Sequence, residues 1–302
     1  MRDSRKGSAG KSAAPARQKP PRVADSKWMS GAEAKNRRGE PQKNAATPSR
    51  RDAAPDAAPG FRKPSGELVA LFGFHAVREA LRAKRRQLLD VFATKAAAER
   101  LGAEFEGAGL TPHIVGAEDL SRRLGPNAVH QGVMLEARPL EPIDISEITS
   151  RSGVVLVLDQ ITDPHNVGAI LRTAAAFGVD ALVMTERHSP ELTGVLAKAA
   201  SGGLEHVAII NVVNLARALE KLGDMGYLRV GLDSEGESTL ADTALTRPVA
   251  LVLGGEGKGM RRLTRENCDC VARLDMPGAI KSLNVSNACA VALTLAHMRL
   301  AG

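Results

Sequence analysis

Aromatic side chains are scarce in this chain of 302 residues: they make up 3% of it, with one Trp, one Tyr and six Phe. A core must therefore be assembled from Leu, Val, Ile and Ala, which the 43% hydrophobic content supplies. Cysteine is sparse as well. Cys268, Cys270 and Cys289 form no C-x-x-C pair and come in odd number, which argues against a disulfide framework or a zinc ribbon and leaves no metal site to expect. A reducing, cytoplasmic compartment fits this usage. No apolar run reaches the roughly 18 residues that a membrane helix needs. The first residues also lack the apolar segment of a secretory signal.

What is present is charge, unevenly placed. The net charge is +7, yet residues 1–66 hold 16 Lys and Arg against 6 Asp and Glu, while the remainder holds 25 against 28. The folded part is thus nearly neutral, and the excess lies in a stretch of Ala, Pro, Ser, Arg and Lys with too little apolar surface to offset its ordering entropy. Residues 1–66 are expected to be a disordered basic tail. It reads either as a solubilising extension or as an electrostatic arm for RNA. Trp28 lies in it.

From Leu68 onward short apolar runs alternate with helical periodicity. Strands are expected at 68–72, 88–93, 113–115 and 130–137, with helices at 76–82, 95–106 and 117–124, a small α/β domain over 67–138. Lys84, Arg85 and Arg86, the turn at His75 and the loop at Gln131 are candidates to meet one phosphate backbone. Residues 139–152, with two prolines in this stretch and no period, read as a linker. The second domain, 153–302, begins with Val154-Val-Leu-Val-Leu158, a continuous apolar run of the kind found in parallel strands covered on both faces. A helix follows whose N-cap is read as Asn166. The βαβα order then continues to Val249–Leu253, which predicts a mainly parallel sheet with helices on both faces.

Residues 251–300 hold the most informative stretch. A strand runs into Gly254-Gly255-Glu256-Gly257-Lys258-Gly259, and a second loop opens a long Ala-rich helix at about Val285. A phosphate-binding G-x-x-x-x-G-K-[ST] loop is excluded, because residue 252 is Val and Gly259 follows Lys258. The glycine register and late position also disfavour a dinucleotide fingerprint.

Three separated blocks share a pattern: Asp163-Pro-His-Asn166-Val-Gly-Ala-Ile-Leu-Arg172-Thr-Ala, Leu253-Gly-Gly-Glu256-Gly-Lys-Gly-Met260, and Ser282-Leu-Asn284-Val-Ser286. In order and in register they resemble the motifs of the SpoU (TrmH) family of RNA ribose 2′-O-methyltransferases. Upstream, Gly73-Phe-His-Ala-Val-Arg-Glu-Ala-Leu81 and His130-Gln-Gly-Val133 are similar to the ribosomal-protein-like RNA-binding domain of the family's rRNA-modifying branch.

The resemblance implies an α/β fold whose C-terminal parallel-sheet domain carries a trefoil knot. It implies S-adenosylmethionine held by backbone at Gly254, Leu274, Met276 and Leu283, and Arg172 as the catalytic residue nearest the ribose hydroxyl, with Asn166, Glu256, Ser282 and Asn284 around it. Arg is permanently protonated, so Arg172 is expected to fix a phosphate and stabilise alkoxide charge rather than act as a free base. Asp275 departs from the family's usual Ile-Pro-Met sequence, and His165 is assigned no chemistry. The substrate implied is 23S rRNA at a guanosine, with tRNA as an alternative and a non-catalytic RNA-binding protein as a further one. The helix from Val285 to Leu300 is apolar nearly all round, which predicts burial on both sides; with the family's habit of pairing, it implies a homodimer.

Overall fold

The computed structural model describes residues 60–63, 65–187, 189–190, 194–255 and 257–301. The readings made for residues 1–59, including Trp28, and for Glu256 lie outside these.

Two sheets organise the described chain. The first contains β1 (Val69–Phe72), β2 (Leu88–Ala93), β3 (His113–Ile114) and β4 (Val133–Ala137) in the order β1-β4-β2-β3. Around it lie α1 (Phe74–Ala83), α2 (Lys95–Arg100), α3 (Gly102–Ala108) and α4 (Ala117–Leu124). The single helix expected over 95–106 is broken at Leu101, whose buried side chain sits between α2 and α3.

The second sheet is built from β5 (Val154–Asp159), β6 (Ala181–Thr185), β7 (Ala208–Val212), β8 (Leu228–Leu232), β9 (Ser238–Thr239), β10 (Val249–Gly254) and β11 (Cys270–Arg273). Its order is β7-β6-β5-β10-β8-β11-β9, and every pairing is parallel. The α/β class and the parallel sheet agree with the reading of the sequence; the short strands β9 and β11 were not foreseen. The helices α5 (Pro164–Ala176), α6 (Gly194–Ala199), α7 (Leu215–Asp224), α8 (Arg262–Glu266) and α9 (Val285–Leu300) complete it.

Alternation explains the two-sided core. Val154, Leu156 and Leu158 of β5 pack with Val249, Leu251 and Leu253 of β10 and with α5, α6 and α9 on one face. Val155 and Val157, with Ala250 and Val252, pack against α7 on the other. Successive strand side chains point to opposite faces, so a strand buried on both must be apolar throughout.

The stretch expected to be a linker is seated rather than loose. Ile145 is buried in the core under α7, and Asp144 bonds Lys221 and the Ser146 amide. The Lys221 ammonium and the Ser146 hydrogen bonds hold the Asp144 carboxyl well below its ordinary range. The expected tail boundary also shifts. Phe61 packs on Phe92 with ring centroids 4.5 Å apart, and Arg62 pairs with Asp90 at 2.8 Å. These contacts bring ordered chain forward of residue 66.

The two sheets share one apolar core. Leu71, Val77 and Ala80 belong to the same buried cluster as Leu196, Ala200 and Leu204. Here the basic run after α1 has a use other than the one expected. Arg86 donates to both carboxylate oxygens of Glu205, at 2.5 and 3.3 Å, with both side chains almost wholly buried. Arg85 donates to the Glu205 carbonyl, and Lys84 to the Gly107 carbonyl. The Gln131 side chain accepts from the Phe74 amide, the first of α1. The set proposed to grip a phosphate backbone therefore bonds within the protein.

Glu205→Ala is expected to lower stability by about 3–5 kcal/mol, because Arg86 would stay buried without a counter-charge. The double variant Arg86→Met, Glu205→Leu should lose less, and urea unfolding of the two checks the order.

Candidate active site

The strand order reverses between β5 and β10: β6 and β7 extend the sheet to one side of β5, and β8 lies beyond β10 on the other. Loops leaving the carboxyl ends of such neighbours diverge to opposite faces and open a crevice. The register sets Gly254 beside Asp159, so both loops leave from one level.

Asp159 is fully buried and accepts from the Arg261 amide at 2.8 Å and from Arg261 Nε at 2.7 Å. This clamps the far end of the glycine loop to the end of β5. Between the clamps the loop doubles back: Gly255 and Gly259 form an antiparallel bridge, with the Gly259 amide donating to the Gly255 carbonyl at 3.0 Å. A Cβ at Gly254 would run into the Gly259 backbone, and one at Gly255 into the Gln160 carbonyl. Glycine is required at both by close backbone approach.

Beside this loop is a cleft of about 350 Å³. Gly254, Leu274, Met276 and Leu283 all line it, together with Ser282. These four positions come from β10, the end of β11 and the loop before α9, so the tertiary structure brings together residues up to 29 positions apart in sequence. Lys281 Nζ donates to the Met276 carbonyl at 2.6 Å and ties two lining segments. Asp275 is exposed and does not line the cleft.

Asn166 and Asn284 meet. Asn284 Nδ2 donates to Asn166 Oδ1 at 2.9 Å, joining α5 to the loop before α9. Asn284 is also the N-cap of α9, accepting from the Ser286 amide. Asn166 is not a cap: that role belongs to Asp163, which accepts from the His165 amide, with Pro164 as the first helical residue. Proline suits that position because it has no amide to satisfy. Asn166 is thereby left inside the first turn, where its side chain is available to Asn284.

Arg172 lies elsewhere. It is six residues further along α5, about 9 Å along the axis and about 120° around it. The side chain is exposed, does not line the cleft, and among the described residues makes no hydrogen bond or ion pair. One chain thus unites Asn166, Ser282 and Asn284 with the cleft but not Arg172.

Asp233 and Ser234, which follow β8, also line the cleft and were missed. Asp233 accepts from Arg265 at 3.1 Å. Their position at the carboxyl end of a parallel strand was the available signal. Burial pushes the Cys289 thiol up to about 12, so it stays protonated beneath the site and offers no nucleophile.

Residues 153–294 match the model of the SpoU rRNA Methylase family, and residues 70–143 match the model described as RNA 2′-O ribose methyltransferase substrate binding. This chain belongs to the SpoU family. It is 40% identical over 232 residues to the 23S rRNA (guanosine-2′-O-)-methyltransferase RlmB of Yersinia pestis, covering 74% of this chain and 94% of that one. To the RlmB of Pseudomonas putida it is 39% identical over 235 residues, covering 75% and 95%. Among solved structures, the SpoU methyltransferase AviRb from Streptomyces viridochromogenes, in complex with AdoMet, superposes with a TM-score of 0.66 at 20% identity, over 77% of this chain and 90% of that one. That likeness is one of fold. Within this SpoU member, the motif blocks 163–174, 253–260 and 282–286 therefore fall on α5 with its N-cap, on the end of β10 with its glycine loop, and on the start of α9.

Asp159→Asn should lower stability by about 1–3 kcal/mol, the range for a lost charge-assisted hydrogen bond. Amide exchange at Gly259 and Arg261 should accelerate selectively, and hydrogen–deuterium exchange reads this directly.

Proposed function

We propose that this protein methylates the 2′-hydroxyl of a guanosine ribose in 23S rRNA, using S-adenosylmethionine bound in the cleft beside the glycine loop. The observation that carries the reading is the convergence of Gly254, Leu274, Met276 and Leu283 on one cleft, a bond away from Asn166. The names of the RlmB relatives, at about 40% identity over most of the chain, supply the reaction and the RNA.

The cleft suits such a cofactor. Its walls include glycine backbone and aliphatic side chains, which suit a flat purine, with Asp233, Ser234, Ser282 and main-chain groups for polar edges, and a Cβ at Gly254 could not be accommodated. When bound, the cofactor supplies an electrophilic methyl on its sulfonium. The chain's own task is then to hold the ribose hydroxyl in line and to stabilise the charge that develops on it. Asn166, Ser282 and Asn284 supply neutral polar groups for positioning, with Glu256 orienting its neighbours. Arg172 fixes the adjacent phosphate and stabilises alkoxide charge.

Because Arg172 is exposed and does not line its own chain's cleft, we assign it to the cleft of a second copy. The exposed face of α9 supports pairing. Cys289, Ala292, Leu293 and Ala296 are buried within the chain, but Val291 and Met298 are 41% and 67% exposed. The expected burial of this helix on both sides is thus completed by a homodimer. In this reading residues 67–138 are the substrate RNA-binding domain, 139–152 a connecting segment and 153–302 the methyltransferase domain with its C-terminal segment knotted. The basic tail, 1–66, assists RNA binding, and the enzyme works in the cytoplasm. The RlmB relatives, named for 23S rRNA, favour rRNA over tRNA.

Methyl transfer from tritiated S-adenosylmethionine to a 23S rRNA transcript tests the reading; label appearing on tRNA alone would overturn the substrate. Arg172→Ala should reduce kcat by roughly 100- to 1,000-fold with cofactor affinity unchanged. Arg172→Lys should not rescue it, since Lys lacks the planar fork. Met298→Arg should yield a monomer by light scattering and lose activity; an active monomer would dispose of the shared site.

A further inference from the structure

A second, larger cleft of about 1010 Å³ lies between the two sheets and shares no lining residue with the cofactor cleft. One wall comes from the first sheet and the segment after α4, including Phe72 and Val129. The other comes from α6, with Val195 and Lys198, and from His165 at the start of α5. Its volume is at the upper end of roughly 300–1,000 Å³ for small-molecule pockets, so it is an extended slot rather than a void.

Three features define what would fill it. Val129 and Val195 both line it and are 58% and 46% exposed, an uncovered apolar surface of the kind that marks an interaction site. Among the described residues no Asp or Glu lines it, whereas Lys198, His165 and Arg123 do. Glu136 neutralises Arg123, at 3.3 Å, but among the described residues the Lys198 ammonium has neither a hydrogen bond nor an ion pair. Lys198 packs beside the Gly73 turn, next to Phe74, whose ring carries the Arg100 guanidinium at 4.3 Å and that of Arg78 at 5.8 Å. The slot is therefore apolar within and cationic at its edge. Such a combination takes a chain of flat apolar groups linked by anions, which is single-stranded nucleic acid.

Position gives the direction. His165 lines the slot, and the next residue, Asn166, bonds Asn284 beside the cofactor cleft. We propose that this slot holds unpaired nucleotides flanking the target of methylation, their bases against Val129 and Val195 and a phosphate on Lys198. The proposal rests on the reading of the chain as an RNA ribose methyltransferase, and it assigns the strand's path to residues outside the three motif blocks. It also gives the first sheet's docking on α6 a purpose, since the slot exists only while the two are held together.

The full chain carrying p-benzoylphenylalanine in place of Val195 would be irradiated with a radiolabelled 23S rRNA transcript, with the same photo-group in place of Ile280, beside the cofactor cleft, as a second variant. Label transfer at 195, competed by unlabelled single-stranded RNA and not by duplex, is the expected result. Capture at 280 alone overturns the slot while leaving the methyltransferase reading intact. Capture of RNA at neither position removes both. Crosslinking at 195 only to the chain's own residues 1–59, to a second copy or to a peptide would give the slot a different occupant and overturn the proposal. In parallel, Lys198→Ala should weaken RNA binding about tenfold, as for a lost charge-assisted contact. It should also reduce the slope of log K against log salt by about 1. Cofactor affinity and the urea midpoint should not move; an unchanged RNA affinity and slope would remove Lys198 from the path.

Discussion

The buried carboxylate of Asp159 is the constraint on which the rest of the site depends. It sits at the end of β5, fully out of water, and is compensated by the amide and guanidinium of Arg261 on a loop that begins at β10. A buried anion is costly unless hydrogen-bonded, so the loop has little freedom to leave it. With Gly254 held beside Asp159 by the parallel register, the glycine loop is pinned at both ends. Only then do Gly254 and Gly255 need to be glycine, because pinning forces backbone against backbone. The polar bond between Asn166 and Asn284 adds a third tie, from α5 to the segment before α9. A cleft built this way is largely preorganised, so a bound substrate need not order it first.

A second buried charge performs the matching task between the sheets. Arg86 and Glu205 are nearly inaccessible and bond each other through two contacts. Apolar packing of Leu71 and Val77 with Leu196 and Leu204 is not directional, whereas the paired charges admit one arrangement. The relation of the first sheet to α6, and with it the shape of the larger cleft, follows from that arrangement. The two clefts thus depend on two separate buried carboxylates, Asp159 and Glu205.

Much of this was legible in the residues. The apolar run at 154–158, buried at every position, announces a strand covered on both faces, and the alternation that follows gives the parallel sheet. The motif blocks named Asn166, Ser282 and Asn284, and the structure places all three beside the glycine loop's cleft or one bond from it. Less was legible where two chemically equivalent residues compete. Asp163 and Asn166 can each cap a helix, and the choice fell to Pro164, whose missing amide fixes where the helix starts. The run Lys84-Arg85-Arg86 looked like a surface patch because nothing local reveals that Glu205, 119 residues away, will bury against it. Strands as short as β9 and β11 carry too few residues to show a period; β11 exists because β8 offers it an edge, and β9 because β11 does in turn.

The sequence by itself determined the class of fold, the membership in the SpoU family and the residue types around the glycine loop, because these depend on local periodicity and on short blocks whose order is fixed along the chain. Tertiary structure decided which residues share a surface. It separated Arg172 from the cleft that its motif suggested, by a third of a turn around α5, and left Val291 and Met298 of α9 exposed. It also opened a slot between the sheets whose walls, Val129 and Val195, have no relation in sequence. Direction around a helix and distance across a core are set by packing, and packing is fixed only when the whole chain is folded.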